Sequence, residues 1–305
     1  MRQWRQRALF FVLALATAGL IAGCGGDEKK NEPPQELEEQ LGFSRLGIME
    51  RQTQVEGKIR DCMKAQGFDY VPIDPFAQQQ ALTGKARQSE EDFIKDFGYG
   101  ISTLFGRGTQ QSDPNDRIRN SLSSADRAAY DRALFGENPG VTFSEAVDSG
   151  DFSELGGCTR QATFDVFGGG AVLNELVGKL DELDERIAQD QRMINAQEKW
   201  SECMSEKGFR YEEPDEIDED LTERFKAIVG TGVRPGATKP EPGASYDRAA
   251  LTNLQREEVK IANEDLACEK REIAPVERVV RPQYEKTFRE QNQRLLTRVP
   301  KVGGS

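Results

Sequence analysis

The sequence predicts a mainly α-helical protein of two related halves, each closed by one disulfide, behind a cleaved signal peptide and a flexible tether. Three observations carry this. Beyond residue 37, apolar residues recur mostly at three- and four-residue spacings. A thirteen-residue stretch returns 141 residues downstream. Each copy is followed by one further cysteine, so four cysteines divide two and two.

Residues 1–23 read as an export signal. Arg2, Arg5 and Arg7 precede an apolar run from Ala8 to Ala22, interrupted by Thr17 and Gly19 alone, and small residues lead to Cys24. About fifteen residues are too few to span a bilayer, which takes about twenty. Ile21-Ala22-Gly23-Cys24 resembles the lipobox of bacterial lipoproteins. That resemblance implies alkylation of the Cys24 sulfur by a lipid transferase and cleavage just before it. Residues 24–36 then form a lipidated tether whose Gly, Lys, Glu, Asn and Pro resist regular structure.

The first helical repeat is assigned to residues 37–170. Leu46, Met49, Val55, Ile59 and Met63 predict a helix from Leu37 to about Gln66, with Gly67 as its left-handed cap. Phe93, Ile94, Phe97, Ile101, Leu104 and Phe105 predict another over 88–105, with an interruption at Gly98-Tyr99-Gly100. Residues 106–120 read as a loop. Ser124 opens a helix stopped by Gly136, and Thr142-Phe143-Ser144-Glu145 has the spacing of a capping box. A helix over 153–167 is broken by Gly168-Gly169-Gly170.

The second repeat is assigned to residues 171–305. Leu173, Leu176, Leu180, Leu183, Ile187 and Ile194 predict one long helix from Ala171 to about Lys207, with Asp190 in one seam position. The acidic run from Glu212 to Asp220 reads as a solvated loop before a short helix over 221–229. Residues 230–245 form an extended loop, and helices over 246–271 and 276–299 are divided by Pro275.

The duplicated stretch runs from Lys58 to Tyr70 and again from Lys199 to Tyr211. Lys, Cys, Met, Gly, Phe and Tyr are identical, so Cys62, Met63, Gly67, Phe68 and Tyr70 match Cys203, Met204, Gly208, Phe209 and Tyr211. The physical reading is a helix C-terminus. Cys and Met face inward on the last turn, Gly reverses the chain, and Phe and Tyr pack back over the end. If the halves fold alike, the pairs are Cys62–Cys158 and Cys203–Cys268. Cys62 with Cys203 is the rival. A four-thiolate zinc site lacks any Cys-x-x-Cys pair.

Cys62-Met63 with Gly67-Phe68, Phe97 to Thr103, Leu122 to Gly136, and Gly156-Gly157-Cys158 resemble segments of uncharacterised lipoproteins from high-GC Gram-positive bacteria. The resemblance implies attachment to the outer face of the cytoplasmic membrane. It implies no activity.

Composition narrows the function. The chain has no histidine, which excludes Ser-His-Asp and Cys-His catalysis and His-based zinc sites. The net charge of −12 becomes −15 once the three signal arginines are gone, and so acidic a body is unsuited to nucleic acid or to docking on anionic lipid. The lipid on Cys24 is then the expected attachment to the bilayer. The acidic run lacks the central Gly of a calcium loop, and Gly168-Gly169-Gly170 lacks the Lys-Ser/Thr of a phosphate loop, so no cofactor or metal is expected. Tyr70, Tyr99, Tyr211 and Trp200 suit core packing better than a pocket. The leading expectation is a non-enzymatic envelope lipoprotein, binding an envelope protein or small ligand or serving structure. A ligand-capturing partner of a transporter and a histidine-free carboxylate hydrolase are the alternatives.

Overall fold

A computed structural model describes residues 37–108, 114–137, 142–143, 146, 151–238, 240 and 245–300; the signal segment, Cys24 and the tether lie outside them. The first helices are α1 (Leu37–Leu41), α2 (Arg45–Ala65), α3 (Pro75–Thr83), α4 (Glu90–Phe97), α5 (Pro114–Ser121) and α6 (Ser124–Phe135). They are followed by α7 (Gly157–Phe167), α8 (Gly170–Ala188), α9 (Gln191–Glu206), α10 (Pro214–Val229) and α11 (Arg248–Cys268). A π-helical turn, Glu269–Ile273, leads into α12 (Ala274–Gln291) and α13 (Gln293–Leu296). No strand occurs among the described residues.

Local chemistry sets many of the ends. Ser44, Asp74, Ser89, Ser123, Asp190 and Asp247 each accept a backbone N–H at the start of a helix, and each such cap stabilises by about 1 kcal/mol. Gly84, Gly98, Gly136, Gly168 and Gly230 end helices at positive φ.

Two main cores result, each holding one disulfide. Cys62 pairs with Cys158 and Cys203 with Cys268, at Cα separations of 5.6 and 5.8 Å. The first core gathers Val55, Ile59 and Met63 of α2, Tyr130 and Leu134 of α6, and Ala162, Val166 and Phe167 of α7. It also takes Leu173, Leu176, Leu180, Leu183 and Ile187 of α8, with Val280 and Phe288 of α12. The second gathers Trp200, Cys203 and Met204 of α9, Ile217, Leu221 and Phe225 of α10, and Leu251, Leu254 and Ile261 of α11. Ile101 and Phe105 belong to this second core, and α4 packs on α11. Both cores therefore contain segments from either side of residue 170.

Arg51 locks the C-terminal segment to the first core. It is 1% exposed and donates to Val166 O at 2.8 Å and Pro300 O at 3.0 Å, with its guanidinium 5.0 Å from the centre of the Phe167 ring. Burial lowers its pKa.

Several boundaries differ from the sequence reading, for identifiable reasons. Gly42, at positive φ, and the Ser44 cap split the helix expected over 37–66. The helix expected over 88–105 breaks where the interruption at Gly98-Tyr99-Gly100 was expected, with Gly98 and Gly100 at positive φ, but beyond it residues 101–106 form turns and no helix resumes. The loop expected over 106–120 contains α5, which begins at Pro114. The helix expected from residue 153 starts at Gly157. The long helix expected over 171–207 breaks at Asp190, whose carboxylate caps α9 through Arg192 N, and Ile194 is 37% exposed instead of lying in a seam. From Pro214 onward the acidic run expected as loop is the first half of α10, with Asp215 and Glu216 in the first turn. Those acids sit where the helix dipole favours negative charge. Pro275 does not divide the last helices. The π-turn carries the backbone past it, with Ala274 N donating to Glu269 O. The capping box at Thr142–Glu145 falls mostly outside the described residues.

Candidate functional site

The two copies of the duplicated motif adopt one geometry. Phe68 N donates to Met63 O and Phe209 N to Met204 O, both at 3.0 Å; Gly67 N donates to Lys64 O and Gly208 N to Ser205 O, both at 3.0 Å. These are the paired bonds of a Schellman cap. Met63 and Met204 are fully buried. Gly67 and Gly208 have φ of 84° and 91°, and a Cβ on either would meet nothing within 4 Å. Their requirement is backbone conformation alone, so Gly67→Ala and Gly208→Ala should each cost about 1 kcal/mol in urea unfolding. An unchanged midpoint would contradict this.

The copies diverge after the cap. Tyr70 OH donates to Glu56 Oε2 on α2 at 2.9 Å, and Ile73 N reaches the same oxygen at 3.0 Å. Tyr211 OH instead donates to Asp220 Oδ2 on α10 at 3.0 Å. Burial, then the Asp220 charge, raises the Tyr211 pKa. The disulfide partners differ too: Cys158 lies at the start of α7, Cys268 at the end of α11.

Two acids of α11, Glu258 and Asp265, are bound internally. Glu258 is fully buried and accepts from Ile101 N at 2.8 Å, Ser102 N at 2.8 Å and Ser102 Oγ at 2.5 Å, with Thr103 N adding a further bond. Burial raises its pKa and these donors oppose the rise. Asp265, one face-repeat further along, accepts from Trp200 Nε1 at 2.9 Å and Tyr99 OH at 2.5 Å. The segment 97–103 is thereby held against the second core. A Cβ on Gly98 would lie 2.9 Å from Glu258 Cγ.

A buried ion pair joins α8 to α12. Arg281 Nη2 lies 3.0 Å from Asp184 Oδ1, outside hydrogen-bonding angles, and 2.8 Å from Glu277 Oε1. Burial raises the Asp184 pKa to about 6, with Arg281 opposing. The folded state therefore holds a proton there that the unfolded chain has released, over the window from about pH 4 to about 6. In that window the group's contribution to stability falls as pH rises. Relative to Asp184→Asn, the native protein should gain about 2 kcal/mol on going from pH 7 to pH 4.5. Urea titrations of both proteins at the two pH values check this; a constant difference would contradict it.

One cleft of about 380 Å³ opens beside the first motif, between α2, α5, α6 and α7. Glu56, Asp116, Arg119 and Asp131 give it charge. Tyr70, Tyr130, Phe135 and Phe143 give it aromatic surface. Arg119 forms a two-pronged pair with Asp131, Nε to Oδ1 at 2.6 Å and Nη2 to Oδ2 at 2.7 Å. Asn115 bridges the segment after the motif, exchanging bonds with Val71 N and O at 2.8 and 2.9 Å.

Of the residues singled out in the sequence, Tyr70 lines this cleft, Trp200 is core, and Tyr99 and Tyr211 pack at the edge of the second core. All of the cleft's lining lies between Gln52 and Thr159, so it is not a cleft between the halves. Sequence reasoning missed Glu56, Arg119 and Asp131. The i, i+12 spacing of the last two spans two helices and carries no local signal. No group of three or more metal-ligating side chains occurs among the described residues, and no helix there is long and apolar enough to cross a membrane. No protein-family model matches the chain, and neither does any curated protein or solved structure.

Proposed function

We propose that the chain is an extracytoplasmic lipoprotein, held at the outer face of the cytoplasmic membrane by a lipid on Cys24, whose helical body binds or supports without catalysis. The observation that carries this is Ile21-Ala22-Gly23-Cys24 placed directly behind the apolar signal segment. The cysteine count supports it. Four of the five pair within the body, so Cys24 is left as the one cysteine for a different chemistry. Paired cysteines also suit an oxidising compartment. Against catalysis stands the absence of histidine, together with the internal bonds that occupy Glu258 and Asp265. Capture of a small ligand is the second reading, favoured by the cleft beside Tyr70.

Fractionation of cells expressing the native chain and Cys24→Ala tests the anchor. The native protein should sediment with membranes and leave them in detergent but not in salt. Cys24→Ala should be soluble or unprocessed, and a processed Cys24→Ala that stays on the membrane would contradict the proposal.

A further inference from the structure

The duplication sets up an internal comparison. Residues 59 and 200 occupy the same motif position; one is isoleucine, the other tryptophan. Trp200 is fully buried, and its indole N–H is tied to Asp265, so a large ring fills the space beside the second motif. Ile59 is as deeply buried, at 2% exposure, but smaller, and the cleft lies against it. The motif tyrosines follow the same division. Tyr211 reaches away to α10, whereas Tyr70 turns back to Glu56 and forms part of the cleft wall.

We propose that the cleft of the first half binds an organic cation with an apolar body, an amine on an aromatic or alkyl group, and that Trp200 closes the equivalent space in the second half. Charge selects the sign. Glu56, Asp116 and Asp131 line the cleft against one described cation, Arg119, which Asp131 already engages through both oxygens. A surplus of two formal negative charges remains. An anionic ligand would meet this field unfavourably. The aromatic lining of Tyr70, Tyr130, Phe135 and Phe143 favours an ammonium that carries apolar surface, through cation–π attraction and burial of its body. A metal ion is the poorer fit, since no three ligating side chains converge among the described residues.

The proposal deepens the binding reading above by naming the ligand class. It is tested on the full chain purified in detergent, so loss of ligand binding and loss of lipid anchoring are measured separately. Three probes share one body: 2-phenylethylamine, neutral 2-phenylethanol and anionic phenylacetate. In calorimetric or ligand-observed NMR titrations the amine should saturate in the millimolar range or below, with the alcohol at least about tenfold weaker and the acid weaker still. Ile59→Trp, which copies the second motif, should abolish amine binding. Because a larger side chain can strain the core, Asp116→Asn provides a second variant at an exposed position. It should weaken the amine several-fold, and the difference should vanish at high salt. Equal binding of alcohol or acid, no saturation by the amine, or unchanged amine binding in both variants would overturn the proposal.

Discussion

Replacing Cys203 and Cys268 together by alanine should lower the unfolding free energy by about 4 kcal/mol. The bridge closes a loop of 65 residues, and chain entropy alone gives a contribution of that size. Both sulfurs are buried, at 2% and 0% exposure, so the double variant also leaves the second core underpacked. The chain has two tryptophans, Trp4 and Trp200, and only Trp200 lies in this core, so native fluorescence of a chain lacking residues 1–23 is a direct reporter. Urea unfolding followed by that signal measures the effect. A loss below about 1 kcal/mol would show that the bridge adds little to a core already set by α9, α10 and α11. Removing Cys62 and Cys158, whose loop is 96 residues, should cost slightly more by the same argument.

Glu258→Ala should be nearly as damaging, at about 3–5 kcal/mol, although it breaks no covalent link. The carboxylate satisfies the N–H groups of Ile101, Ser102 and Thr103 and the Ser102 hydroxyl in a fully buried position. Truncation leaves those donors unpaired in a dry site, where each orphaned group costs about 1–3 kcal/mol before relaxation. The segment 97–106 should then detach, withdrawing Ile101 and Phe105 from the second core. Limited proteolysis would show this as new cleavage between Phe97 and Arg107 at urea concentrations that leave the native protein intact. Glu258→Gln keeps the shape but turns one acceptor into a donor, so it should fall between native and alanine. Resistance equal to native in the alanine variant would contradict this role.

The helical class, the motif geometry and the disulfide partners were legible because each rests on local spacing or on duplication. The Cys-Met-x-x-x-Gly-Phe order writes out a helix end. Helix starts at proline were less legible. Pro75, Pro114 and Pro214 each stand at the start of a helix, where a fixed φ and a missing N–H cost nothing. Pro214 followed by Asp215 and Glu216 was in fact a readable helix start, since acids in the first turn favour the dipole. Asp190 was a readable cap in the same way.

Sharing of segments between the cores was not legible. It depends on Glu258 reaching Ser102 across a separation of 156 residues, and no periodicity encodes that. The cleft lay halfway between. The Ile59-for-Trp200 difference is visible in the repeat, but its consequence needed the positions of α5 and α6.

The central claim concerns Cys24, and peptide mass spectrometry of the protein extracted from membranes tests it most directly. The account predicts an N-terminal peptide that starts at Cys24 and carries a diacylglyceryl thioether on the sulfur. A peptide retaining residues before Cys24, or one with a free Cys24 thiol, would contradict it.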